Sequence, residues 1–138
     1  MRHAIVDIGS NTIRLIVFDA HEETEELKKV INKKYTAGLI TYVHDGELSG
    51  KGIKKLIKTL ASIKNIVEEL KVDTFSPFAT ASLRNLDNTE EVLARVKEEL
   101  DIDIDVLDQV EEAFLGNVGI RSEVEIESGL SIDRKSVV

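Results

Sequence analysis

The order of the hydrophobic patterns along the chain constrains its fold most. Two short apolar runs, Ala4–Ile8 and Thr12–Phe18, are separated by Gly9-Ser10-Asn11 and predict two strands joined by a tight turn. A third strand is predicted at Lys29–Thr36, after an acidic turn at Glu22–Glu26. The chain therefore opens with a meander of three antiparallel strands.

The pattern then changes to helical spacing, and the longest helix of the chain is predicted after the turn His44-Asp45-Gly46. Ser49 is a suitable N-cap residue for this helix. Gly50 and Gly52 are expected to weaken its first turn, because glycine inside a helix costs about 1 kcal/mol relative to alanine. The apolar positions at helical spacing are Ile53, Leu56, Ile57, Leu60, Ile63, Val67 and Leu70.

Strands and helices alternate in the second half of the chain. Val72–Phe78 is predicted as a strand with Pro77 near its end, since proline cannot donate to a strand ladder. A helix follows from about Thr89, and Asn88-Thr89-Glu90-Glu91 has the spacing of a capping box.

Alternating apolar and acidic residues predict a strand at Ile102–Val106, and a last helix is predicted from about Asp108 toward Ile120. The element order is β-β-β-α-β-α-β-α. This order predicts an α/β fold in which helices pack on a mixed sheet, the layout of a ribonuclease-H-like half-domain.

Composition narrows the class of protein. A chain of 138 residues is expected to form one domain, and the absence of cysteine excludes disulfides, thiolate nucleophiles and Cys-ligated zinc. No apolar run has the roughly 18 residues of a membrane span, so a cytoplasmic protein without a membrane partner is expected. The net charge of -8 argues against a DNA-binding protein but leaves room for a local anion site.

Asp7–Arg14 is the segment richest in chemical information. Gly9 lets the backbone approach an anion, and the N–H and hydroxyl groups of Ser10–Thr12 are suitable phosphate donors. Asp7 can hold Mg²⁺ directly or through water, and Arg14 can clamp a phosphate with its planar guanidinium. An ordinary hairpin turn explains the same residues, so both interpretations are open at this point.

Two more segments extend this pattern: Ala79–Asn85 at a strand-to-helix junction, and Glu111-Glu112-Ala113. Together with Asp7–Arg14, they resemble the signatures of the exopolyphosphatase and guanosine pentaphosphate phosphohydrolase (Ppx/GppA) family, which has an actin-like ATPase fold. Gly46–Ser49 is similar to the turn and cap that open this family's first long helix. The resemblance covers nearly the whole chain in the right order.

The resemblance implies a hydrolase of terminal phosphoanhydride bonds in inorganic polyphosphate or guanosine pentaphosphate, with Mg²⁺ or another divalent cation. Asp7 is the implied metal ligand, Glu112 the implied general base and Glu111 its reserve candidate. An ATP-dependent kinase of the same superfamily is disfavoured by the second and third segments. The implied phosphate contacts are Gly9, Ser10, Asn11, Thr12, Arg14, Thr80, Ala81, Ser82 and Arg84.

Several of these features also have a purely structural interpretation. Thr80–Arg84 fits a capped helix with an exposed arginine, and paired glutamates favour a first helical turn. Asp101, Asp103 and Asp105 lack the pattern of an EF-hand and predict a solvent-facing strand. Five lysines either gather a polyanion or form a solvated helix face: Lys51, Lys54, Lys55, Lys58 and Lys64.

The chain departs from the family pattern after Gly129–Asp133, where Arg134–Val138 replaces an expected glycine-rich second phosphate loop. We therefore expect residues 1–128 to be an N-terminal half-domain and residues 129–138 the first strand of a truncated second one. The alternative function is a catalytically inactive fragment or a phosphate-sensing module. An apolar surface left without its second half-domain would favour a homodimer.

Overall fold

A computed structural model describes residues 1–20 and 27–108. The strands in these ranges are β1 (Arg2–Ile8), β2 (Ile13–Ala20), β3 (Leu27–Tyr35), β4 (Val43–His44), β5 (Glu47–Leu48), β6 (Thr74–Ala79) and β7 (Asp105–Val106). The helices are α1 (Gly50–Leu70), α2 (Ala81–Arg84) and α3 (Thr89–Leu100), and a short 3-10 helix spans Leu39–Tyr42.

Five strands form one mixed sheet in the order β3-β2-β1-β6-β7. β1 pairs antiparallel with β2 and parallel with β6, so the strand direction changes at β1. The predicted α/β class with a mixed sheet and helices packed on it is confirmed. β4 and β5 form a separate two-stranded hairpin, whose turn has positive φ at both Asp45 and Gly46.

The core lies between one face of the sheet and α1. Alternate residues of β1 and β2 are buried, and the residues between them lie on the opposite face of the sheet. α1 buries five of its seven predicted apolar residues and leaves Ile57 and Leu70 half-buried; each large buried member contributes about 1.5–3 kcal/mol. The central members of this core are Ala4, Val6, Ile8, Ile13, Leu15, Val17, Ile53, Leu56, Leu60 and Ile63.

The first turn of α1 confirms the predicted N-cap and gives Gly52 a packing role that the sequence did not indicate. Ser49 is the N-cap, and its hydroxyl accepts a hydrogen bond from the Gly52 N–H at 3.3 Å. A Cβ on Gly52 would lie 2.5 Å from Leu48 Cδ1 and 2.6 Å from Tyr42 Cβ. The glycine that lowers helix propensity is therefore the residue that lets the β4–β5 hairpin pack against the helix.

The predicted capping box at the start of α3 is wrong. Asn88 occupies the N-cap position, but its side chain makes no capping hydrogen bond. Its Oδ1 accepts from the Leu48 N–H and its Nδ2 donates to the Leu48 carbonyl, both at 3.0 Å. A tertiary contact with strand β5 thus replaces the local cap.

The other differences concern element boundaries. Only Asp105 and Val106 of the predicted strand at 102–106 are paired, because β7 reaches no further than Phe78 and Ala79 of β6. Ile102 and Ile104 still point into the core, so their alternation reflects burial without a ladder. The acidic turn at 22–26 and residues 109–120 of the predicted last helix lie outside the described residues.

Candidate phosphate-binding site

The candidate site lies at the carboxyl ends of β1 and β6. These parallel neighbours end side by side, with Ile8 opposite Ala79. The loop 9–12 follows β1, and α2 follows β6. The buried Ser82 hydroxyl donates to the Ile8 carbonyl and ties the two connections together. Ligands of open α/β sheets bind at this kind of strand edge, where the topology changes direction.

Gly9 closes the loop between β1 and β2. Its N–H donates to the Thr12 carbonyl at 2.9 Å, and a Cβ at position 9 would lie 2.9 Å from that same oxygen. The Gly9 N–H is thus used inside the turn, and its predicted contact with phosphate stays a prediction. Its role is to let the chain turn tightly enough to present the three residues that follow.

Residues 38–40 support the loop 9–12 through backbone hydrogen bonds. The Gly38 N–H donates to the Asn11 carbonyl and the Ile40 N–H to the Ser10 carbonyl, each at 2.8 Å. The two N–H groups that share these peptide units belong to Asn11 and Thr12, and in a trans peptide they point opposite to the carbonyl. They are therefore directed away from the supporting loop, where an anion can approach them.

Charged side chains form a row beside this loop, on the face of the sheet opposite the core. Arg14 of β2 lies directly opposite Asp7 of β1 on one side and Lys34 of β3 on the other. Side chains in such cross-strand positions have Cβ atoms about 5 Å apart. Arg14 is half-buried, whereas Asp7 and Lys34 are exposed. The row places Arg14 one strand width from a carboxylate on one side and one strand width from a second cation on the other.

On the β6 side, the helix that follows the strand is shorter than the anion-binding hypothesis assumed. α2 has four residues, and the Thr80 side chain makes no capping hydrogen bond. One turn aligns few peptide dipoles, so a helix-dipole contribution to phosphate binding is not supported. The Thr80 carbonyl accepts hydrogen bonds from the N–H groups of Leu83 and Arg84. The N–H groups of Ala81 and Ser82, at the start of the helix, have no partner within it.

Two predicted phosphate contacts here have structural partners. The Ser82 hydroxyl donates to the Ile8 carbonyl, and this hydrogen bond positions α2 against the end of β1. Arg84 Nη1 donates to the Leu107 carbonyl at 3.2 Å, which holds the guanidinium over the end of β7. The predicted contact of Arg84 with phosphate stays a prediction.

Asp7 is the described carboxylate best placed to hold a divalent cation at this site. Among residues 1–20 and 27–108, no group of three or more His, Cys, Asp or Glu side chains is arranged to bind a metal ion. Mg²⁺ is commonly held by one or two carboxylates together with substrate phosphates and water. A single exposed carboxylate beside the phosphate loop fits that mode, in which the cation would offset phosphate charge.

The remaining predicted site residues, Glu111 and Glu112, lie outside the described residues. Conversely, sequence reasoning missed the supporting residues Gly38 and Ile40, and it missed Lys34. Gly38 and Ile40 act through backbone N–H groups, which leave no side-chain signature in a sequence. Lys34 could have been found from the pairing of β2 with β3, but only if the register of the two strands had been known.

Comparison with known proteins gives a consistent result. A sequence model of the Ppx/GppA phosphatase family matches residues 16–134. Exopolyphosphatase 1 of Mycobacterium tuberculosis is 29% identical over 121 residues, which are 88% of this chain and 35% of that protein. The chain therefore spans about a third of the length of the curated relatives it matches.

Two solved structures show the same similarity. The Ppx/GppA family member of Aquifex aeolicus is 29% identical with a TM-score of 0.79, covering 87% of this chain and 39% of that one. An exopolyphosphatase from Cytophaga hutchinsonii is 26% identical with a TM-score of 0.80, covering 88% and 39%. The family match spans most of the sequence and the fold agrees with it, so this chain belongs to the Ppx/GppA phosphatase family.

Proposed function

We propose that this chain forms the phosphate-binding half of a site that hydrolyses the terminal phosphoanhydride bond of inorganic polyphosphate or guanosine pentaphosphate. The observation that carries the proposal is the supported loop 9–12. Its Ser10 and Asn11 carbonyls are fixed from behind, so the N–H groups of Asn11 and Thr12 are presented for an anion. Family membership supports the choice of phosphoanhydride substrates.

The row beside the loop supplies the charge that such a substrate needs. Enzymes transfer a phosphoryl group mainly by positioning it and by stabilising the charge on its equatorial oxygens. In our proposal, Arg14 binds those oxygens together with the backbone donors, and Asp7 holds Mg²⁺ against the phosphates. Arg84 adds a second cation from the β6 side.

Glu112 is the proposed general base that orients and deprotonates the attacking water, with Glu111 as the second candidate. Glu112 comes four positions after Asp108 in the sequence, and Asp108 follows β7 at the same edge of the sheet. This short separation in the sequence supports the assignment.

Phosphate binding without turnover is the second candidate function. The observation that favours it is that the chain spans about a third of its relatives' length. If part of the site comes from the remaining two thirds, residues 1–138 bind phosphate and release no product.

Calorimetry with tripolyphosphate and Mg²⁺, together with a phosphate-release assay on polyphosphate, tests both functions. We expect saturable binding by the 138-residue chain that R14Q weakens at least tenfold, since a charge-assisted contact is lost. The control is R95Q, which removes a half-exposed arginine of α3 whose Nη2 lies 3.7 Å from Glu99 Oε2. Equal affinity of R14Q and R95Q, with both folded by circular dichroism, would contradict the proposed site.

Turnover separates the two candidate functions. If the chain releases phosphate, E112Q is expected to abolish release and retain tripolyphosphate binding. Binding without release would support the second candidate function. D7N is expected to remove the part of the affinity that depends on Mg²⁺, and an unchanged response to the metal would refute the role of Asp7.

Cellular location and assembly stay predictions. Within the part of the chain that the structure describes, no helix has the length and apolar character required to cross a membrane. Cytoplasmic location and a homodimer are proposed from the sequence. Light scattering on the purified chain measures its mass directly, and a monomeric mass would refute the dimer.

A further inference from the structure

We propose that the outward face of α1 is a docking track for linear inorganic polyphosphate, formed by Lys51, Lys54, Lys55 and Lys58. The track would hold the part of the chain that extends beyond the phosphate loop. The inference rests on the proposed function, because it assumes that the terminal phosphate lies in the loop 9–12.

The four lysines share one face of the helix. Their spacing is i, i+3, i+4 and i+7, which places them in a stripe about 10 Å long. Lys51, Lys54 and Lys58 are exposed and Lys55 is half-buried. Lys64, the other lysine of α1, differs from them, because its Nζ donates to the Leu100 carbonyl at 2.6 Å.

This arrangement is electrostatically unfavourable for the helix itself. Lysines at i,i+3 and i,i+4 repel each other, and the stripe contains four such pairs. Lys51 also lies in the first turn, where the helix dipole disfavours a cation and where α1 has no acidic residue. No ion pair within the described residues relieves these four charges. A polyanion bound along the stripe would compensate these four charges.

The stripe begins at the phosphate-loop end of the molecule. The Ile40 N–H binds the Ser10 carbonyl of the loop, and the Tyr42 carbonyl accepts from Ser49, the N-cap of α1. At the opposite end of the helix, the Leu70 carbonyl accepts from Arg2 at the start of β1. α1 therefore runs away from the loop, and the lysines occupy the half of the helix nearest to it.

Positive charge is concentrated in this region of an acidic protein. Residues 27–64 contain nine lysines and two acidic residues, although the whole chain carries a net charge of -8. The lysine face itself continues toward the far end of α1 as Ser62, Asn65 and Glu69. The acidic residues nearest in sequence are Asp45 and Glu47 in the hairpin before the helix.

The chemistry of the stripe favours polyphosphate over a nucleic acid. Proteins that bind single-stranded nucleic acids combine a basic groove with aromatic side chains on which bases stack. The outward face of α1 offers lysines, serine and asparagine, with Glu69 at its far end, and no residue of α1 is aromatic. A linear anion that carries charge on every unit and no bases matches this surface.

The variant K54Q/K58Q tests the track on the 138-residue chain, with long-chain polyphosphate and tripolyphosphate as the two probes. Because exposed ion pairs contribute little individually, we expect about a fivefold loss of affinity for the long chain. Affinity for tripolyphosphate is expected to stay unchanged. Because the variant has less like-charge repulsion, its melting temperature should equal or exceed that of the unmodified chain. Such a result would exclude unfolding as the cause of the lost affinity.

The matched control is K28Q/K29Q, which removes the same charge from two exposed residues of β3 about 20 Å from the loop end of that strand. The control is expected to bind both probes as the unmodified chain does. Equal losses in both double variants would overturn the proposal, because bulk charge would explain them. An unchanged affinity of K54Q/K58Q for the long chain would also overturn it, as would equally tight, lysine-dependent binding of single-stranded oligothymidylate.

Failure of the proposed function gives a different result. A chain that binds no tripolyphosphate lacks the phosphate site, whatever the lysines do. Selective loss of long-chain binding in K54Q/K58Q would still support the track in that case.

Discussion

Substituting Gly52 by alanine is expected to destabilise the protein, although alanine favours helices. The new Cβ would lie 2.5 Å from Leu48 Cδ1 and 2.6 Å from Tyr42 Cβ, both inside contact distance. Leu48 is 2% exposed, and the Tyr42 Cβ is fixed to its backbone, so neither atom has space to move away. Overpacking costs about 1–3 kcal/mol, whereas the gain in helix propensity is about 1 kcal/mol. The expected net loss is therefore about 1 kcal/mol.

Gly50→Ala provides the matched control in the same helical turn. A Cβ on Gly50 meets nothing within 4 Å, so this variant is expected to gain up to about 1 kcal/mol. Urea unfolding monitored by circular dichroism measures both, and the two variants should differ by about 2 kcal/mol, or about 6 °C in melting temperature. A G52A variant as stable as G50A would refute the packing argument.

The same displacement has a consequence at the candidate site. Tyr42 ends the 3-10 helix whose Ile40 N–H supports the Ser10 carbonyl. G52A is therefore expected to weaken tripolyphosphate binding, whereas G50A leaves it unchanged.

Three further predictions follow from named contacts. N88A removes both hydrogen bonds to Leu48 and should cost about 2 kcal/mol in urea unfolding, whereas an effect near zero would show that the bridge contributes nothing. S82A leaves the Ile8 carbonyl without its hydroxyl donor and should lower stability by about 1–3 kcal/mol, and a loss of phosphate affinity at unchanged stability would instead assign the hydroxyl to the ligand. A hydrogen bond from Lys97 lowers the pKa of Asp101, so its contribution is present above the ordinary aspartate pKa of 3.8 and is lost as the pH falls through the lowered value. The stability advantage over D101N should accordingly disappear in strong acid, and an advantage that persists there would contradict the ion pair.

The two sides of the candidate site contribute different numbers of suitable groups. The loop 9–12 and the charged row are built by the described strands β1, β2 and β3 with the support of residues 38–40. The β6 side contributes a single helical turn whose serine is used for positioning. The better-supported part of the candidate phosphate site is thus the first loop, which is where we expect substitutions to affect binding most.

The sequence by itself determined the features that depend on neighbours in the chain. Apolar alternation specified β1 and β2, helical spacing specified the buried face of α1, and Ser49 specified where that helix starts. The loop 9–12 could also be located, because its small and polar residues directly follow the strand that ends at Ile8.

Only the tertiary structure decided which groups remain available at that loop. Asn88 bonds to Leu48, 40 residues away, instead of capping its own helix. The Gly9 N–H is consumed within the turn, and backbone groups of Gly38 and Ile40 turn the loop carbonyls inward. Backbone hydrogen bonds between distant segments depend on register and close packing, which hydrophobic periodicity does not encode. Lys34 lies beside Arg14 because of the register between β2 and β3, which the sequence pattern alone does not specify.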